Sequence, residues 1–175
     1  MQTSPHSHTS PHFTTESDAA DRRFLRHTLA TLAYRAEKPL RDAPPDFAAL
    51  SVGPGSRTAG EIVAHMADLI EWSLFLARGE HRWKTTPPTT WKADVERFFG
   101  ALLALDAFLA SDAPLVGKAD ELFQGPIADS LTHTGQLTML RRLAESPIRA
   151  ENYVRAEIRA GRVGRDQSRD RSEFG

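Results

Sequence analysis

No cysteine occurs among the 175 residues, which excludes disulfides, thiolate metal sites and a cysteine nucleophile. Any thiol chemistry here needs a thiol from outside. An excess of either charge is also missing: 22 Lys and Arg against 23 Asp and Glu leave a formal net charge of −1. No global field therefore recruits nucleic acid or an anionic membrane. No run approaches the roughly 18 apolar residues of a membrane span, and the first thirty residues show no basic start leading into an apolar stretch. A cytoplasmic location is the expectation. Three catalytic signatures are absent as well: a phosphate-cradling Gly-rich loop after a strand, a Gly-x-Ser-x-Gly nucleophile elbow, and the paired Glu-x-x-His motifs of di-iron bundles.

What is present is ordinary for one globular domain, with 40% apolar and 26% charged residues and enough length to bury a sizeable core. The opening "MQTSPHSHTSPHFTTE" offers almost nothing to bury, so residues 1–16 read as a disordered tail, in which His6, His8 and His12 hold a metal only weakly. Residues 163–175 mix both charges with glycine and read as a flexible charged tail. Residues 17–162 carry helical patterning and no convincing alternating strand.

Each helix has a start and a stop. Ser17 suits an N-cap with acidic residues following, and Leu25, Leu29 and Leu32 share one face. After a Pro- and Gly-rich loop, Thr58 and Glu61 form a capping box for "AGEIVAHMADLIEWSLFLARG", which closes near Gly79. Thr90 caps "WKADVERFFGALLALDAFLA", with Pro114 just beyond its end. "GKADELFQG" is a short helical turn, and Pro126 suits the first position of a fourth long helix over about 126–145. "IRAENYVRAEIRAG" then restarts as a short amphipathic helix ended by Gly161. The expected fold is all-α, an up-and-down four-helix bundle with a short C-terminal fifth helix.

The fourth helix has odd polar residues. "IADSLTHTGQLTMLRR" places Asp129, His133 and Gln136 at i, i+4, i+7, the spacing of a single stripe. Asp129 and His133 lie one turn apart, close enough to reach one ion at about 2.0–2.2 Å, although the same spacing suits a solvated pair. His65, near Leu69 and Trp72 on the second helix, sits on or beside an inward face and is the best third ligand. Asp68 lies one turn from His65 and suits an acceptor for the ring N–H that a metal leaves unused. Gln136 suits a hydrogen bond to a ligand, and Trp72 suits a pocket wall. Gly135 costs about 1 kcal/mol inside a helix and points to close approach by another helix or a ligand.

Taken together, the His in "RTAGEIVAHMADLIEW", the loop-rich middle and "HTGQL" resemble the DinB/YfiT-like superfamily of four-helix metal-binding proteins, over roughly residues 20 to 162. The resemblance implies a divalent metal held by one His of the second helix and two of the fourth, the latter three residues apart and just before a Gly-Gln. His65 and His133 match; position 129 carries Asp129 in place of His. A two-His, one-carboxylate set suits zinc, nickel, iron or manganese.

The resemblance further implies transfer or isomerisation with a low-molecular-weight thiol such as bacillithiol, mycothiol or glutathione, or metal-assisted hydrolysis, acting on a small-molecule substrate. It also implies a homodimer, to which the apolar run "FFGALLALDAFLA" on the third helix adds weight. The rival expectation is a non-catalytic dimeric helical domain that binds a metal or small ligand at a degenerate site.

Overall fold

The computed structural model describes residues 15–174. The expected N-terminal tail, with His6, His8 and His12, lies outside them except for Thr15 and Glu16, which are already helical. All regular elements among the described residues are helical: α1 (Thr15–Leu40), α2 (Ala59–Ala77), α3 (Trp91–Ala110), α4 (Ala119–Leu122) and α5 (Ala128–Leu143). Helix α1 starts ahead of Ser17, which is therefore a first-turn residue and not the N-cap.

The caps of α2 and α3 follow the local chemistry. Thr58 Oγ1 accepts from Glu61 N at 3.2 Å, and the Glu61 carboxylate accepts from Thr58 N at 2.7 Å, so two N–H groups without helical partners are satisfied reciprocally. Thr90 Oγ1 accepts from Ala93 N. Gly79 ends α2 at φ +82, where an added Cβ would also lie 2.7 Å from a Val116 methyl; only glycine fits both demands. Helix α2 packs along α3 and against α5, and α1 packs against α3 and α5. Leu25, Leu29 and Leu32 of α1 are fully buried, as are Met66 and Ile70 of α2, Phe98 and Leu102 of α3, and Leu137 of α5. Each such side chain contributes about 1.5–3 kcal/mol by leaving water.

Pro126 does not begin a helix. It lies inside a π-type turn, Phe123–Ile127, that joins α4 to α5. A proline has no N–H for the normal ladder and its ring crowds the preceding turn, so the helix widens there instead of starting afresh. Gly135 is a second correction: a Cβ at that position would meet nothing within 4 Å, so no helix approaches it closely.

The largest departure is the C-terminal fifth helix. Residues 147–161 contain no α-helix, only a 3-10 turn, Tyr153–Arg155. Glu151 is the reason: its side chain is fully buried, accepting from the Tyr34 hydroxyl and from Lys38 Nζ at 3.0 Å. Residues 163–174, expected to be a flexible tail, pack into the same cluster. Arg171 donates to Glu37 at 2.8 Å and lies 4.1 Å over the Tyr34 ring, Glu173 pairs with Lys38 at 2.6 Å, and Val163 is buried. Asn152 N donates to Ser172 O, and Phe174 N to Ala150 O, each at 2.9 Å. These long-range bonds hold 150–152 extended and override a modest helical propensity. Burial, with Glu151 alongside, pushes the Tyr34 hydroxyl up to about 12.

Removing Glu151 strips the buried Tyr34 hydroxyl of its acceptor and buried Lys38 of one of its two carboxylates, which leaves interior polar groups under-paired. Glu151→Ala is expected to lower unfolding free energy by about 3 kcal/mol in urea titrations, while Val154→Ala, at a position 95% exposed, stays within about 0.5 kcal/mol. A Glu151→Ala loss below about 1 kcal/mol would show that the cluster does not hold the C-terminal segment in place.

Candidate metal centre

Helices α2 and α5 bring His65, Asp129 and His133 together. Asp129 and His133 stand one turn apart on α5, and His65 reaches them across the α2 to α5 contact. His65 Nε2 lies 3.6 Å from Asp129 Oδ2, and His133 Nε2 lies 3.5 Å from Asp129 Oδ1. The imidazoles meet edge to face, with centroids 5.0 Å apart and an interplanar angle of 84°. One donor atom from each residue lies within 4.8 Å of the other two.

These separations are too long for good hydrogen bonds. They suit ligands sharing an ion, since tetrahedral donors with bonds of about 2.1 Å stand about 3.4 Å apart. Two imidazole nitrogens and a carboxylate oxygen are also the donor types that borderline divalent ions accept. The cluster could therefore hold a metal ion.

Protonation is arranged to match. Burial, then the nearby positive charge of Arg57, pushes His65 below the usual imidazole range, so its ring is neutral at neutral pH and keeps a lone pair for a ligand. His133 is buried, and its Nδ1 lies 2.8 Å from Gln136 Oε1. An amide oxygen only accepts, so Nδ1 carries the hydrogen of this contact and Nε2 is the nitrogen turned to Asp129, the one free to serve as a ligand. Gln136 thus acts through His133, and it also lines an adjacent cavity.

Asp68 does something else. It is buried, and its carboxylate accepts from Arg97 Nη1 of α3 at 2.7 Å and from Thr86 N at 2.9 Å. Three residues on from His65 is about 60° round the helix, which turns Asp68 toward α3 while His65 turns toward α5. Ser130 is fully buried and donates to Pro126 O, so it offers no nucleophile.

A cavity of about 590 Å³ opens beside His133 and Gln136, with Val52, Ile62, Met139 and Leu140 as apolar walls and Arg57 on its rim. Trp72 is not among the residues lining it. Its ring packs edge-on against Trp83, at 5.5 Å, and Trp83 in turn packs against His65 at 5.8 Å. Trp83 comes from the loop between α2 and α3. Arg57 was missed altogether; its one available signal was its place immediately before the capping box, which fixes its backbone.

Neither a family model, a curated protein nor a solved structure matches this chain. The reading of the site therefore stands on its geometry.

Gln136→Leu keeps the side-chain bulk but removes the acceptor that orients His133. Zinc affinity should fall by about 10–100-fold in competition with a chromophoric chelator, using full-length protein with His6, His8 and His12 changed to Asn. Unchanged affinity would mean that Gln136 does not set the His133 ring.

Proposed function

We propose that the protein is a divalent-metal-dependent enzyme of the DinB/YfiT-like kind. In this reading His65 Nε2, His133 Nε2 and the Asp129 carboxylate hold one zinc, nickel, iron or manganese ion, and α1, α2, α3 and α5 form an up-and-down bundle around it. The observation that carries the proposal is the three-donor cluster itself, with one atom of each residue within 4.8 Å of the others. When bound, the ion supplies Lewis-acid activation of a thiol or water nucleophile.

The protein's own residues supply position. Gln136 fixes the tautomer of His133, and His65 is held between the Trp83 and His133 rings. Asp129, with its side chain 46% exposed, leaves the solvent side of the cluster approachable. The cavity beside His133 offers room for a small-molecule substrate. Because the chain has no cysteine, a thiol reaction would draw on a low-molecular-weight thiol such as bacillithiol, mycothiol or glutathione. Metal-assisted hydrolysis uses the same residues.

Asp129, standing where the family resemblance implies His, favours a second reading: a non-catalytic helical domain that binds a metal or small ligand. Zinc titration and thiol turnover on one set of variants separate the two. On the enzyme reading, zinc-loaded protein accelerates consumption of at least one of the three thiols by an electrophilic substrate. Asp129→Ala should lower zinc affinity by at least about tenfold and abolish turnover, and Asp129→His should keep or tighten zinc binding. Tight zinc binding without thiol turnover or hydrolysis would leave the binding-domain reading. Equal, weak binding in all three proteins would remove Asp129 from the site.

Homodimerisation is part of the proposal. Leu103 is 51% exposed on α3, beside the small outward-facing Gly100, Ala104 and Ala107, a surface suited to close packing on a second copy. Light scattering should report a dimer at micromolar concentration; a monomer at high micromolar concentration would contradict it.

A further inference from the structure

The cavity beside His133 has a chemical character of its own. Val52, Ile62, Met139 and Leu140 make its walls apolar, and Arg57 is the single cation among its lining residues. Among the described residues Arg57 makes no hydrogen bond or ion pair within 4 Å. The acid its charge reaches is Glu61, whose carboxyl is held below the usual range first by the hydrogen bonds with Thr58 and last by the charge of Arg57; it makes no ion pair with the guanidinium within 4 Å. A second donor lines the same cavity. Gln136 gives its oxygen to His133, and its amide N–H₂ has no partner among the described residues. The backbone behind Arg57 is fixed, because residue 58 is the N-cap of α2 and Ser56 closes a turn on Gly53 O through both its backbone N–H and its hydroxyl.

From these placements we infer that the cavity binds an organic monocarboxylate with an apolar body, its carboxylate on Arg57 and the Gln136 amide, its body against Ile62, Met139 and Leu140. A guanidinium fork matches a carboxylate with two parallel hydrogen bonds. One arginine balances one negative charge, which favours a carboxylate over a phosphate dianion, for which the lining offers no second cation. The apolar walls reward a hydrocarbon body, and the Met139 thioether suits an aromatic ring. The carboxylate is thereby held at the rim while the rest of the molecule lies beside His133. This rests on the proposed function for its role as a substrate class, but not for the binding itself.

The test uses full-length protein stripped of metal with EDTA and dialysed, so that no ion competes for the carboxylate. The probes are 4-phenylbutyrate and its neutral analogue 4-phenylbutan-1-ol, compared by isothermal titration calorimetry. The acid should bind at least about tenfold more tightly than the alcohol. Arg57→Gln should bring the acid down to the level of the alcohol and leave the alcohol unchanged. Arg57→Lys, which keeps the charge but not the fork, should recover part of the loss. Leu140→Ala, which removes part of the wall, should weaken both probes by a similar factor. Equal affinity for acid and alcohol, an acid affinity indifferent to Arg57→Gln, or no binding of either probe at millimolar concentration would each overturn the inference. Because the protein is metal-free, failure of the metal reading would leave these outcomes untouched. Conversely, loss of probe selectivity would leave zinc binding at His65, Asp129 and His133 intact.

Discussion

The packing of α2 against α5 is the contact on which the candidate centre depends. Neither helix carries three ligands of its own: α5 supplies Asp129 and His133 one turn apart, and α2 supplies His65. Only when Ile62, Met66 and Ile70 share a core with Leu137 and Leu140 do the two imidazoles meet at 5.0 Å. A shift of one helical residue, about 1.5 Å along the axis, would carry His65 out of reach of an ion shared with the other two. The apolar contact is thus what turns two separate pieces of sequence into one donor set, and the stability of the core sets the precision of the site.

Polar groups are handled in two contrasting ways. Away from the centre they are paired with one another: Asp68 with Arg97 and Thr86, Lys38 with Glu151 and Glu173, Arg171 with Glu37. These clusters tie α2 to α3 and the C-terminal segment to α1, and their value lies in leaving no lone charge in the interior. Around the cavity the pattern reverses. The Arg57 guanidinium and the Gln136 amide hydrogens have no partner among the described residues, and His65 is held neutral by burial and by Arg57. Donors without partners also occur elsewhere, buried, at Ser73 Oγ, Arg97 Nε and Arg171 Nε, so it is their meeting with a cavity that makes this place suited to a ligand.

The caps of α2 and α3 were legible in the sequence because their chemistry is local, although Ser17 is not the cap of α1. Thr58 with Glu61, Thr90 with Ala93, and Gly79 at the end of α2 act over a few residues, as does the Asp129 and His133 spacing. The apolar stripe of α1 was legible for the same reason. The C-terminal segment was not, because Glu151 answers to Tyr34 and Lys38, more than a hundred positions earlier, and no local pattern records a partner so distant. Asp68 was read toward His65 since they are neighbours on one helix, but Arg97 of α3 claims it. Gly135 suggested close approach by another helix or a ligand; no helix approaches it closely, and its own helix exposes that face. His65 is the instructive case: its place near Leu69 and Trp72 made it the best third ligand, and the resemblance then pointed to the same residue.

Zinc-edge anomalous diffraction from crystals of the full-length protein grown with stoichiometric zinc tests the metal centre most directly. The account predicts one strong peak between α2 and α5, at about 2.0–2.2 Å from His65 Nε2, His133 Nε2 and an Asp129 oxygen. A map with no peak there, or with zinc held by other residues while His65 and His133 remain unliganded, would contradict it.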